Sequence, residues 1–148
     1  MTELRGIFAA TISVFNDDLS LNIEKTIKHS EKIIDDGCHG VVMFGSTGQA
    51  QYIPVSEKIS LINQLSKSKY NNKFILGTGL NSLIEIINFM KTSCSLNFNK
   101  FLIMPPAFYS YDELGLKKFY EKIIESVPTS KIILYNFEAL CGFKFTEN

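Results

Sequence analysis

Two hydrophobic periods alternate along the chain. Short runs rich in Val, Ile and Phe fall at residues 7–15, 40–45, 74–79, 100–104 and 131–136, apolar at successive positions rather than at every second one. Such runs predict five strands covered on both faces, the habit of a parallel sheet. Between them, residues 21–35, 55–66, 82–96 and 112–127 repeat at helical spacing. Leu116, Phe119, Tyr120, Ile123, Ile124 and Val127 form one apolar stripe, and Leu83, Ile86, Ile87, Met90 and Cys94 form another. Each stripe predicts a helix with one buried face. The punctuation agrees: Ser82 with Glu85 makes a potential capping box, Ser20 is placed to cap the first helix, and Gly37 follows its last turn as a stop.

The order of elements is therefore β-α-β-α-β-α-β-α-β. Predicted strand starts at 7, 40, 74, 100 and 131 repeat at intervals of 33, 34, 26 and 31 residues. Eight such units make a barrel of roughly 250 residues, and 148 residues hold five strands. Two α/β architectures fit: a small open sheet complete in itself, of flavodoxin-like order, or a (β/α)8 TIM barrel truncated after about five strands. The first βα turn, Phe15-Asn16-Asp17-Asp18, lacks the Gly-x-Gly-x-x-Gly of a dinucleotide-binding fold. No linker or low-complexity tract divides residues 1–148, which are expected to belong to one domain.

Composition narrows the partners. The chain is 45% hydrophobic and balances 15 Lys+Arg against 15 Asp+Glu, as a globular protein does. With zero formal charge and Lys117-Lys118 as the longest basic run, nucleic acid and anionic membrane surfaces are not expected partners. No apolar stretch nears the roughly 18 to 20 residues of a membrane span, and Met1-Thr2-Glu3-Leu4-Arg5 lacks the order of a signal peptide, so a cytoplasmic location is expected. Cys38, Cys94 and Cys141 form no CxxC pair, and His29 and His39 lack metal-ligand spacing; reduced thiols and no metal site are expected. Cys38 and His39 are adjacent, and adjacent residues of an extended segment point to opposite sides, which favours a buried thiol and a surface imidazole over a catalytic pair.

Parallel α/β folds place their sites at the carboxyl ends of the strands. After the second strand comes Gly45-Ser46-Thr47-Gly48-Gln49. Its glycines let a ligand oxygen approach backbone N–H groups, and its hydroxyls can pass a proton; an ordinary tight turn is the alternative. After the fourth strand comes the aromatic loop Pro105-Pro106-Ala107-Phe108-Tyr109-Ser110-Tyr111, suited to packing or to a subunit contact. The fifth strand ends in Tyr135-Asn136, where a phenol could act as a general acid or base.

In their order these segments resemble the family of dihydrodipicolinate synthase and N-acetylneuraminate lyase. The markers are Gly6-Ile7-Phe8-Ala9-Ala10 with Phe15-Asn16-Asp17-Asp18, then Gly40 to Gly48, then Pro105-Pro106 with Tyr109, and Tyr135-Asn136 followed by Ala139-Leu140 and Gly142. The resemblance implies a (β/α)8 barrel and a Schiff-base aldolase or lyase that makes or breaks a C–C bond in a 2-keto acid of the pyruvate type, without a separate cofactor and as a homotetramer or other homo-oligomer. It implies that Ser46, Thr47 and Gly48 bind the keto-acid carboxylate, that Ser46 relays a proton, and that Tyr135 is the general acid/base. A tyrosine of the aromatic loop completes the relay in that family. Alignment on Pro106 puts that position on Phe108, which has no hydroxyl, with Tyr109 as its neighbour.

Two departures tune the expectation. Glu138 stands where the family has proline, and Leu140 where the synthase branch has an arginine for its aldehyde's carboxylate. The resemblance thus leans toward lyase action on a sugar-acid-like substrate. Its imine-forming lysine falls on a sixth strand, past Asn148, so these residues are expected to be the amino-terminal portion of the enzyme and inactive alone. Lys73, Lys100 and Lys131 start strands, and Lys28, Lys58, Lys91 and Lys118 lie in outer helices; Lys144 alone is at the carboxyl end. A non-catalytic keto-acid-binding or assembly module remains the other functional reading.

Overall fold

The computed structural model describes residues 4–146. Its strands are β1 (Phe8–Ala10), β2 (Gly40–Met43), β3 (Phe74–Gly77), β4 (Lys100–Ile103) and β5 (Lys131–Leu134). They alternate with α1 (Ile23–Asp35), α2 (Val55–Leu65), α3 (Leu83–Ser95) and α4 (Glu113–Ser126), and a one-turn helix, α5 (Glu138–Cys141), follows β5. Every neighbouring pair is parallel and the strand order is β1-β2-β3-β4-β5. A flavodoxin-like sheet would seat β1 between β2 and β3. The sequential order therefore excludes it and leaves the five-stranded arc of a (β/α)8 barrel.

Local chemistry sets the boundaries. Ser82 accepts the Glu85 N–H at 3.4 Å as the cap of α3, and Asp112 accepts the Gly115 N–H at 2.6 Å as the cap of α4. Gly37, at φ +111°, donates to the Ile34 carbonyl and ends α1. Ser20 does not cap α1. Its hydroxyl and its N–H both go to the Asp18 carboxylate, at 2.6 and 3.0 Å, and Asn22 caps instead by accepting the Lys25 N–H at 2.9 Å.

The first strand is shorter than its apolar run. It stops at Ala10, and the chain beyond turns to serve other segments: Ser13 donates its hydroxyl to the Gly48 carbonyl at 2.7 Å, and the Val14 N–H goes to the Thr26 hydroxyl at 3.0 Å. Those partners lie 35 and 12 residues away in sequence, beyond any local pattern.

The core lies between the sheet and its helices. Val41, Met43, Phe74, Leu76, Phe101 and Ile103 face Leu61, Leu65, Ile86, Phe89, Met90 and Ile123, all buried. The stripe of α3 centres on Ile86, Phe89, Met90 and Ser93, and in α4 the expected stripe loses Ile124, which is 53% exposed. At the carboxyl end β2 and β3 approach closely: a Cβ on Gly77 would lie 2.2 Å from the Phe44 carbonyl oxygen, so only glycine fits. Among the described residues no helix is long and apolar enough to cross a membrane.

Candidate active site

The turn after β2 is built by backbone geometry. Phe44 takes a left-handed φ of +57°, which lifts the chain out of the strand. The N–H groups of Gly48 and Ala50 then return to the Gly45 carbonyl, and that of Gln49 to the Ser46 carbonyl. Gly48 is buried, and a Cβ there would come within 3.0 Å of the Thr11 carbonyl oxygen. The turn closes without drawing on the amides of Ser46 and Thr47, whose side chains are exposed.

Tyr135 reaches this turn from the end of β5, at an edge of the sheet. Its N–H donates to the Ile103 carbonyl at 3.0 Å, continuing the β4–β5 ladder by one residue, and its carbonyl accepts from the Cys141 thiol at 3.0 Å. The Tyr111 hydroxyl in turn bonds the Cys141 carbonyl. Held from both sides, the Tyr135 hydroxyl meets the Ser46 hydroxyl at 3.1 Å across 89 residues of sequence. Either oxygen can donate, so the pair can pass a proton in either direction.

The pair opens into a cavity of about 270 Å³ at the carboxyl ends of the strands. Gln49 and Gln51 offer amides to it, and Leu102, Met104 and Leu140 make its apolar wall. Among the described residues that line it, none is ionisable except Tyr135 and Tyr52. Of the residues expected in the site, Ser46 and Tyr135 line the cavity, whereas Thr47 and Gly48 form the turn behind Ser46. The aromatic loop sends only Ala107 to the cavity. Phe108 and Tyr109 are 91% and 76% exposed and pack edge-on against each other, 5.0 Å between ring centres, so Tyr109 does not join the pair within this chain. Lys144 is exposed in the segment after α5 and is not part of the lining.

One group behind the site was not foreseen. Lys58 is on a helix outside the sheet, as expected, yet it is fully buried, with its ammonium 2.8 Å from the Thr78 carbonyl and 5.9 Å from the centre of the Phe44 ring. Burial pushes its pKa down to about 8, against the pull of Glu85. A lysine between Glu57 and Ile59 on an outer helix carries no sequence signal of burial, because the space it fills is shaped by Phe44 and Thr78. Among the described residues no three of His, Cys, Asp and Glu gather to hold a metal ion.

A sequential parallel arc of this kind belongs to the (β/α)8 class, and the Ser46–Tyr135 pair lies at the carboxyl end of its strands, where barrels of that class carry their sites. The chain belongs to the dihydrodipicolinate synthetase family, whose model matches residues 3–148. It is 26% identical over 149 residues to an uncharacterized DapA-like lyase of Chloroflexus aurantiacus, covering 99% of this chain and 50% of that protein. In structure it is similar to a putative dihydrodipicolinate synthetase from Pseudomonas aeruginosa, with a TM-score of 0.88 and 21% identity over 97% of this chain and 50% of that one. It is similar also to YagE of E. coli K12, a member of the same family solved in complex with pyruvate, with a TM-score of 0.83 and 23% identity over 93% of this chain and 46% of that one. The chain spans about half the length of the curated relatives it matches.

Proposed function

We propose that residues 1–148 are the amino-terminal portion of one barrel domain, and that the complete protein is a carbon–carbon lyase or aldolase acting on a pyruvate-type 2-keto acid. The observation that carries this reading is the Ser46–Tyr135 contact of 3.1 Å at the mouth of the cavity. In this reading the amides of Ser46 and Thr47, with the Ser46 hydroxyl, take the keto-acid carboxylate, and Gly48 keeps the turn close enough to let it in. A lysine on a further strand adds its amine to the C2 carbonyl and water leaves as the imine forms, giving an electron sink for the bond between C3 and C4. Tyr135 supplies the proton to the departing hydroxyl and takes one from the aldol oxygen, with Ser46 as the relay. Tyr109 enters this relay across a subunit contact of the aromatic loop rather than within its own chain. Leu140 and the uncharged lining leave this side of the cavity without a cation for a second carboxylate, which favours an uncharged, hydroxyl-bearing aldehyde fragment. The family's pyruvate complex in YagE supports the keto acid.

The test is mass spectrometry after incubation with pyruvate and borohydride, on this chain and on a version extended through the sixth strand. Labelling confined to the extended protein, lost when its sixth-strand lysine is changed, is the expected result. Labelling of the 148 residues alone would put the imine on a lysine already present, Lys144 first, and would overturn this account.

A further inference from the structure

Lys58 takes no part in the proposed reaction, and stability does not account for its burial. It is fully buried on α2, its ammonium donates to the Thr78 carbonyl at 2.8 Å, and the Glu85 charge only partly offsets the loss of water. Methionine would fill similar space without a charge to desolvate, and replacing buried charges by apolar groups is often neutral or stabilising. What the ammonium does meet are the two strand ends that carry the Ser46 turn. We propose that Lys58 is a positioning residue for that turn: from the helix side of the sheet it fixes where the Ser46 and Thr47 amides point, and so sets the affinity for the keto-acid carboxylate without touching it. The inference rests on reading the turn as a carboxylate seat.

Two routes lead from the ammonium to the turn. The first runs through Phe44, whose ring centre lies 5.9 Å from Lys58 Nζ and 6.3 Å from the Phe89 ring. The Phe44 backbone takes the left-handed φ of +57° that starts the turn. A residue other than glycine keeps such a conformation only where its surroundings fix it. Here the ring is held between an ammonium and an aromatic edge, while the Phe44 carbonyl is pressed against Gly77.

The second route runs through Thr78. Its N–H goes to the Leu102 carbonyl at 3.3 Å, its hydroxyl is buried without a partner among the described residues, and its carbonyl is held by Lys58. The next residue, Gly79, lies so close to Ala50 that a Cβ on it would come within 2.4 Å of Ala50 Cβ. Ala50 in turn donates its N–H to the Gly45 carbonyl at 3.3 Å and closes the turn. The ammonium therefore braces the turn at both ends, at Phe44 where it begins and at Ala50 where it closes. Lys58 is not part of the cavity lining, so its action passes through these neighbours.

The test compares Lys58→Met with the parent in two measurements. Hydrogen exchange of the 148-residue chain, read by mass spectrometry, should run roughly tenfold faster at the Gly48, Gln49 and Ala50 amides that close the turn, and unchanged in α3. Borohydride labelling of the protein extended through the sixth strand should need roughly tenfold more pyruvate for half-saturation, with a melting temperature no lower than the parent's. A lysine that served stability alone would lower the melting temperature and leave the pyruvate requirement as it was. Unchanged exchange in the turn would overturn the positioning role whatever the labelling shows. Faster exchange with an unchanged pyruvate requirement would overturn the link from the turn to the keto acid. A parent protein that pyruvate does not label would sink the lyase reading instead, and exchange alone would then decide whether Lys58 braces the turn. Should Lys58→Met not fold, Lys58→Gln, which keeps an N–H donor, is read by the same outcomes.

Discussion

The centre and the edges of the sheet are built from the same residue types and end up in different environments. All four residues of β3 are buried, as are three of four in β2, which packs against α1, and both strands contribute to the buried core. At the edges, β1 has no fully buried residue and β5 has none either, with Leu134 50% exposed. Ile7 and Ile12, which flank β1, are 68% and 49% exposed. Apolar content is therefore not what separates the two regions. Position in the sheet is: an inner strand is covered by neighbours on both sides, and an edge strand presents open backbone and side chains that call for a partner. The candidate site bridges the two environments, since Ser46 follows a central strand and Tyr135 an edge one.

The largest expected effect sharpens this contrast. Phe89 is 1% exposed and meets the Phe44 ring edge-on at 6.3 Å, so Phe89→Ala should cost about 3–5 kcal/mol. Leu134→Ala, at the half-exposed edge, should cost under about 1 kcal/mol. Thermal or urea denaturation of the two variants measures both. Equal losses would break the comparison, because they would mean that β5 is covered in solution by another chain.

A smaller effect comes from Lys58, the one charged side chain that is buried among the described residues. The Lys58 pKa of about 8 in the fold lies below its ordinary 10.5, so between those values the unfolded chain binds more protons than the folded one. Stability must then rise as pH climbs through that window, by up to about 3 kcal/mol, and this group contributes no slope below pH 8. Melting temperatures at pH 7.5 and 10 should show the rise in the parent protein and a flatter line in Lys58→Met. Parallel lines would mean that the ammonium is hydrated, and that the centre is less closed than its packing indicates.

How far the sequence foretold all this differs by scale. The helices were legible because their caps are local: Ser82 and Glu85 are three residues apart and bond as their types suggest. So was the parallel arc, because successive apolar positions in residues 74–77 reflect burial on both faces. The length of β1 was not, since Ser13 and Val14 are claimed by Gly48 and Thr26. The site was legible in part. Strand ends and a family resemblance singled out Ser46 and Tyr135, yet nothing local says that they touch, and the exposure of Tyr109 follows from a loop that sends Ala107 inward instead. Lys58 was illegible because its environment is assembled from distant segments.

The smallest effect tests local chemistry at the β1 edge, where two residues competed for one role. Asn22 accepts the Lys25 N–H at 2.9 Å, and its own amide donates to Asn16 Oδ1 at 2.6 Å, so Asn22→Ala should cost about 1 kcal/mol by removing the cap of α1. Ser20→Ala removes the hydroxyl bond to the exposed Asp18 carboxylate, the largest of the contacts that hold that carboxyl below its usual pKa, and the bond accepted from the Asn16 amide at 2.9 Å, and should change stability by less than about 0.5 kcal/mol. Chemical denaturation of both variants at neutral pH separates them. A larger loss from Ser20→Ala would show that the Asp18 loop, rather than the helix cap, anchors the chain where it leaves the first strand.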